Sequence, residues 1–207
     1  MILAIDTSGE FAGLTLLDQH PIELSLHSPD GHADKLIQNI DQLLHRAGIS
    51  IHDIHCFAAA AGPGSFTGVR VALSAAKGLA EATGKPMVAV SNLQALAWYG
   101  TARLRSPVID ARRGEIFGAV YDSDLNLVQP EMVSKFQPWR QSLPEPTELI
   151  CSGDFLSVPF TKAPPSLATA VAHIARNATK SNPAAIDANY VRRADAESNW
   201  IDVSTSS

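Results

Sequence analysis

Cysteine is scarce in this chain, with two among 207 residues. Cys56 and Cys151 lie far apart and match no metal or redox spacing, which argues against a disulfide framework and for two reduced, buried thiols in a cytoplasm. Basic charge is also short, 16 Lys and Arg against 21 Asp and Glu, for a formal net charge of -5. The broad positive footprint of a protein that holds nucleic acid alone is therefore missing, and any such role needs a partner. No apolar run is long enough to cross a bilayer. The N-terminus starts directly on a strand, Met1-Ile2-Leu3-Ala4-Ile5-Asp6, without the basic stretch, long apolar region and cleavage site of a signal peptide. HExxH, GxSxG and paired Cys and His arrangements are absent, so a peptidase would need a site assembled from distant residues. Histidines are present but badly spaced for a metal. His27 and His32 flank a Pro-Asp-Gly turn, His45 stands apart, and His52 with His55 precedes a strand, so they read as exposed imidazoles.

The most informative stretch runs from Phe57 to Thr83. Phe57 to Ala61 is a short apolar strand ending at Gly62-Pro63-Gly64, and from Val69 the apolar residues Ala72, Leu73, Ala76, Leu79 and Ala80 recur at helical spacing. A second face of the same helix, Val71, Ala75, Gly78 and Ala82, is small and uncharged, whereas a surface helix normally presents charge opposite its core stripe. Two such faces imply two burials, one against the chain's own sheet and one against something else. A glycine-rich turn into a helix N-terminus is also a natural anion site. Gly62, Gly64 and Gly68 nevertheless make GxGxxxG, one residue longer than the dinucleotide fingerprint, and Val69-Arg70 stands where a P-loop needs Lys followed by Ser or Thr. Phosphate binding and tight packing of helix on sheet both remain open.

The rest of the chain falls into alternating elements. Ile2 to Ile5, Ala12 to Leu17 and Ile22 to Leu26 read as three antiparallel strands. Asp6-Thr7-Ser8 after the first strand suits either a metal-bound phosphate or an Asx-type turn. From Gly31 to Gly48, Leu36, Ile37, Ile40, Leu43, Leu44 and Ala47 mark a helix with Asp30 placed to cap it. Its stripe is wide, which fits either a large interior or a helix pair docking on another helix pair. Met87 to Val90 is a strand and Asn92 to Tyr99 a helix. A break at residues 103–107 precedes a second strand-rich region, Val108 to Asp110, Ile116 to Tyr121 and Leu125 to Val133. Two domains are thus expected, 1–105 and 106–207. Pro138 to Pro146 reads as loop, Leu149 to Cys151 as a strand, Ser166 to Thr179 as a helix, and residues 200–207 as a disordered tail.

Several of these segments together resemble the TsaB (YeaZ) family of tRNA threonylcarbamoyladenosine biosynthesis proteins, relatives of TsaD (Kae1). The matching stretches are Ile2 to Ser8, His32 to Gly48, Ala61 to Arg70 with its GPGSFTG, Ala76-Lys77-Gly78-Leu79-Ala80, Asp110-Ala111-Arg112-Arg113-Gly114-Glu115, and Ala188 to Arg192. The resemblance implies an α/β, actin-like ATPase (ASKHA) fold of two RNase H-like halves, the second smaller and more irregular. It also implies a scaffold more than a catalyst. In TsaD a strand after the glycine turn leads to an HxxxH pair that holds the catalytic metal, and here Asn92 and Leu96 stand at those places. Leu has no donor atom and Asn is a poor ligand for a transition metal.

By the same resemblance, the chain pairs with TsaD through its first two long helices and assembles with TsaE and the product of TsaC to modify the adenosine beside the tRNA anticodon, meeting tRNA only through the complex. The implied partner interface is Leu36, Ile40, Leu43, Leu44, Val71, Ala75 and Gly78. A homodimer through the same face is expected when the partner is absent. Asp6, Thr7, Ser8, Gly62 and Gly64 would be a vestigial phosphate site. No cofactor is required, and ATP or ADP would sit at the complex interface. The rival class is a nucleotide-hydrolysing or phosphotransfer enzyme of the same fold. Arg112, Arg113, Arg192 and Arg193 read as contacts to tRNA or a nucleotide or, more blandly, as solvated or carboxylate-paired arginines.

Overall fold

The computed structural model describes residues 1–27, 33–189 and 191. The Asp30 cap, Gly31 and His32 at the expected helix start, Tyr190, the Arg192 and Arg193 pair and the tail lie outside these residues.

The first strand, β1 (Ile2–Asp6), is buried on both faces, and its alternation decides which core each residue joins. Leu3 and Ile5 point into one hydrophobic cluster, Ile2 and Ala4 into another on the opposite face. Strand β4 (Cys56–Ala60) repeats the pattern, with Phe57 and Ala59 on the first side and Cys56, Ala58 and Ala60 on the second. Period-2 side chains in a sheet covered on both sides produce this near-continuous apolar sequence. Around them β2 (Phe11–Leu17), β3 (Pro21–His27) and β5 (Met87–Val90) complete a five-stranded sheet in the order β3-β2-β1-β4-β5. β1 to β3 form antiparallel pairs, and β4 and β5 add in parallel.

A second five-stranded sheet follows, made of β6 (Leu104–Arg112), β7 (Glu115–Asp122), β8 (Leu127–Lys135), β9 (Glu148–Cys151) and β10 (Thr161–Lys162). Read from β8, its order is β8-β7-β6-β9-β10, the order of the first sheet. The pairings repeat as well: β6 to β8 antiparallel, then β9 and β10 parallel. This is the two-halved, actin-like and RNase H-like plan.

Helices α1 (Ala33–Ala47) and α2 (Phe66–Thr83) cover one face of the first sheet. Helix α1 stops at Gly48, whose φ of 67° is the left-handed conformation that glycine adopts most readily. Ser65 caps α2 by accepting from the Gly68 amide at 3.3 Å, and Gly84 ends it at φ 65°. The opposite face takes α5 (Ala168–Asn177), through Ala170, Val171, Ala172 and Ala175. Short α3 (Asn92–Ala97) lies between the sheets, giving Ala95 and Leu96 to the first and Leu93 and Ala97 to the second.

One expectation needs correction, and two features escape any local pattern. The two halves interlock: from residues 106–207, α5 packs across the first sheet, Ile186 enters its core, and Ser181 bridges Met87. The apolar stripe of α5 matched a sheet face already built from residues 2–90, which composition cannot reveal. Pro138 to Pro146 is not wholly loop, since α4 (Phe136–Gln141) takes in its first four residues. Pro138 falls in its first turn, where a missing N–H is no loss. Trp139 anchors it, buried against Gly118, where a Cβ would meet the indole at 2.6 Å. Strand β10, two residues long, has no period to read.

Candidate functional site

Helix α1 positions four of the expected interface residues, and it turns them inward. Leu36, Ile40, Leu43 and Leu44 are buried in the first core, Leu43 completely. Their i, i+4, i+7, i+8 spacing is one helical face, and that face lies on the sheet. They therefore hold α1 in place and are not surface side chains. Ile37, one position on, points out and is 60% exposed.

On α2 the stripe Val69, Ala72, Leu73, Ala76 and Ala80 is buried. Val71 and Ala75 are half-buried and pack against the margin of the first core. Gly78 is exposed, as are Ser74 and Ala82 four residues to either side. A Cβ at Gly78 would meet nothing within 4 Å, so no internal packing demands glycine there. Two charged residues, Arg70 and Glu81, flank this small-residue ridge, with Arg70 stacked over the Phe66 ring at 3.8 Å.

The Asp6-Thr7-Ser8 turn and the glycine turn meet. Asp6 is almost wholly buried, and both its carboxylate oxygens are engaged: Oδ1 accepts from the Ser8 amide at 2.9 Å and hydroxyl at 2.6 Å, Oδ2 from the Leu167 amide at 2.7 Å. Thr7 Oγ1 donates to the Gly68 carbonyl at 2.6 Å, and the Ser65 amide donates to the Ser8 carbonyl at 2.9 Å. A Cβ at Gly68 would stand 1.9 Å from the Thr7 oxygen, and one at Gly64 3.0 Å from the Ser8 oxygen. Close backbone packing accounts for these glycines. Asn92 completes the knot by accepting from the Gly62 amide at 3.0 Å and donating to Ser8 Oγ at 2.7 Å. Leu96, the other position aligned with a metal ligand by resemblance, is buried in the apolar core.

Beyond the knot a cleft of about 1230 Å³ opens between the sheets, lined by Gly62 to Phe66 on one wall and by Asp110 to Arg112 and Ser152 to Phe155 on the other. Its charge is mixed, with Glu10, Asp110 and Asp154 against Arg112. At its rim the β6–β7 hairpin holds Arg112, Arg113 and Gly114 at φ 65°, 56° and 76°. Arg112 is 80% exposed and pairs with Asp110 at 3.4 Å, the solvated, carboxylate-paired alternative. Among the described residues no group of three His, Cys, Asp or Glu side chains is placed to hold a metal. Cys56 and Cys151 are unpaired and buried, and burial raises both thiols, Cys151 to about 11. No helix of the described residues is long and apolar enough to cross a membrane.

Sequence reasoning missed Glu131. Its carboxylate accepts from Tyr121, Ser91 and Asn189, which come from three separate segments. No local pattern announces such a convergence.

The family model described as TsaD, tRNA N6-adenosine threonylcarbamoyltransferase, matches residues 27–192. The chain belongs to the TsaD family. Within that family it stands with TsaB, or YeaZ. It is 37% identical over 131 residues to the tRNA threonylcarbamoyladenosine biosynthesis protein TsaB of Escherichia coli, covering 60% of this chain and 56% of that one. The Bacillus subtilis TsaB is 33% identical over 151 residues, covering 70% and 66%. These matches span somewhat under two thirds of the curated relatives' length. A solved structure of YeaZ from Pseudomonas aeruginosa superposes with a TM-score of 0.75 at 25% identity, over 91% of this chain and 98% of that one.

Proposed function

We propose that this chain is a non-catalytic scaffold subunit that binds and activates TsaD in the threonylcarbamoylation of tRNA adenosine beside the anticodon. The outward ridge of α2 carries the proposal. The 18-residue helix α2 exposes Ser74 at its middle and Gly78 and Ala82 toward its C-terminal end, and α1 exposes Ile37. A helix facing water alone gains nothing from a glycine there, which weakens it by about 0.5–1 kcal/mol relative to alanine. A second helix gains close approach. The commitment of Asn92 to the turn and of Leu96 to the core supports a non-catalytic role, since neither offers a metal ligand. On this reading TsaE joins the assembly, tRNA is met through the complex, and a homodimer forms through the same ridge when TsaD is absent. ATP or ADP, if used, sits at the complex interface.

The test is size-exclusion chromatography with light scattering on the chain, alone and with TsaD of the same organism, beside Ile37→Glu. The wild type is expected to co-elute with TsaD and the variant to elute apart while keeping its helical circular dichroism. Co-elution of the variant at wild-type strength would overturn the proposal.

The cleft between the sheets favours one other reading, a nucleotide-binding phosphotransfer enzyme. With both oxygens of Asp6 engaged internally, that reading needs a different metal-phosphate ligand. Micromolar binding of Mg-ATP by the isolated chain in calorimetry would favour it. A peptidase is the weakest alternative, because burial raises both thiols, opposite to the activation a nucleophilic cysteine needs.

A further inference from the structure

Glu131 lies on β8, an edge strand of the second sheet, and its half-buried carboxylate gathers three donors. Tyr121 of neighbouring β7 donates its hydroxyl to Oε1 at 2.6 Å. Ser91, the cap of α3, donates its hydroxyl to the same oxygen. Asn189 donates its amide nitrogen to Oε2 at 2.6 Å. Each donor is tied to something else. Ser91 Oγ also accepts from the Leu93 amide at 3.2 Å, so the carboxylate fixes the hydroxyl that starts the joint helix α3. The Asn189 backbone amide donates to the Ala61 carbonyl at 2.8 Å, and its side chain reaches the Gly62 carbonyl at 3.5 Å.

Asn189 ends a strap that returns over the first sheet. Ser181 and Met87 exchange two backbone hydrogen bonds, at 3.0 and 3.1 Å, Ile186 enters the first core, and Lys77 of α2 donates to the Ile186 carbonyl. Burial, with Glu131 beside it, holds the Tyr121 phenol far above its usual range, so Tyr121 remains a donor. A carboxylate bonded by donors from separate segments joins those segments more strongly than neutral pairs would.

We propose that Glu131 is a latch that holds the second sheet and the C-terminal strap against the glycine turn, and so fixes the base from which α2 projects. The latch goes beyond the scaffold reading and is tested without any partner.

The experiment is residue-resolved hydrogen exchange on the full chain, comparing wild type, Glu131→Ala and Glu131→Gln. In Glu131→Ala the Asn189 and Leu93 amides are expected to exchange about tenfold faster or more, the scale of losing one charge-assisted bond. The Ala61 amide, bonded within the sheet to Val90 at 2.8 Å, should be unchanged. In Glu131→Gln, Oε1 still accepts from the two hydroxyls, so Leu93 should stay protected while Asn189 loosens. Adding Asn189→Ala to Glu131→Ala should loosen residue 189 no further. Unchanged exchange at Asn189 in Glu131→Ala would overturn the latch. Equal acceleration at Asn189 and Ala61 would also overturn it, because it would report general destabilisation.

Discussion

The two sheets share one strand order and differ in what covers them. The first carries helices of 15 and 18 residues on its connections, the second a helix of 6 residues before β9 and none described between β9 and β10. A parallel connection needs only enough chain to return, so long helices are not demanded by the topology. In the second half Trp139 of the short α4 covers Val108 and Ile116 with partly buried Phe136, Leu143, Leu149 and Leu156 around it, while in the first half two long helices share the task. Both long helices of the first half also carry apolar or small residues on their outward faces, Ile37 on α1 and Gly78 and Ala82 on α2.

The strongest way to break the comparison is to remove one cover from each half. Trp139→Ala is expected to cost about 3–5 kcal/mol, and Leu43→Ala about 2–5 kcal/mol, both from urea denaturation. Trp139 should be the worse because the indole is the larger side chain and leaves the larger cavity. A cost under about 1 kcal/mol for Trp139→Ala would show that the second sheet is covered by something other than one indole.

A smaller comparison uses the thiols of equivalent strands, Cys56 of β4 and Cys151 of β9. Burial is the largest cause raising each, and it pushes the Cys151 thiol up to about 11 from the ordinary 9.0. The unfolded chain therefore ionises this thiol first as pH rises. Stability from Cys151 is full below about pH 9 and falls as pH climbs toward 11, because the unfolded state binds fewer protons across that window. Urea midpoints measured from pH 8 to 11 should decline less steeply in Cys151→Ala than in the wild type. Identical slopes would place the titration elsewhere.

How much of this was legible depends on whether a signal is local. The alternation in β1 and β4 and the stripe of α2 are local, and each element was readable from its own residues. Helix α4 was not, because its existence rests on Trp139 finding Gly118 in another strand. Leu36, Ile40, Leu43 and Leu44 show the subtler failure. Their period announced burial correctly but could not say against what, and the sheet claimed them before any partner could. Glu131 lay beyond sequence altogether, since its donors stand 10, 40 and 58 residues away. The glycine turn was half-legible: its tightness could be read, while the carbonyls of Thr7 and Ser8 that require it could not.

The smallest expected effect separates the two halves most sharply. A Cβ at Gly118 of the second half would stand 2.6 Å from the Trp139 indole, so its glycine is explained within the chain, whereas one at Gly78 of the first half would meet nothing within 4 Å. Gly78→Ala should therefore raise the stability of the isolated chain by about 0.5–1 kcal/mol, through the lower entropy of the unfolded state and better helix propensity. If another helix lies against that ridge, the added methyl group must enter the contact, and the same variant should weaken assembly with TsaD. A gain in melting temperature together with a loss in binding would mean that glycine is kept there at the chain's own expense for a neighbour. A gain in both would remove the ridge from the interface and leave Ile37 to define it alone.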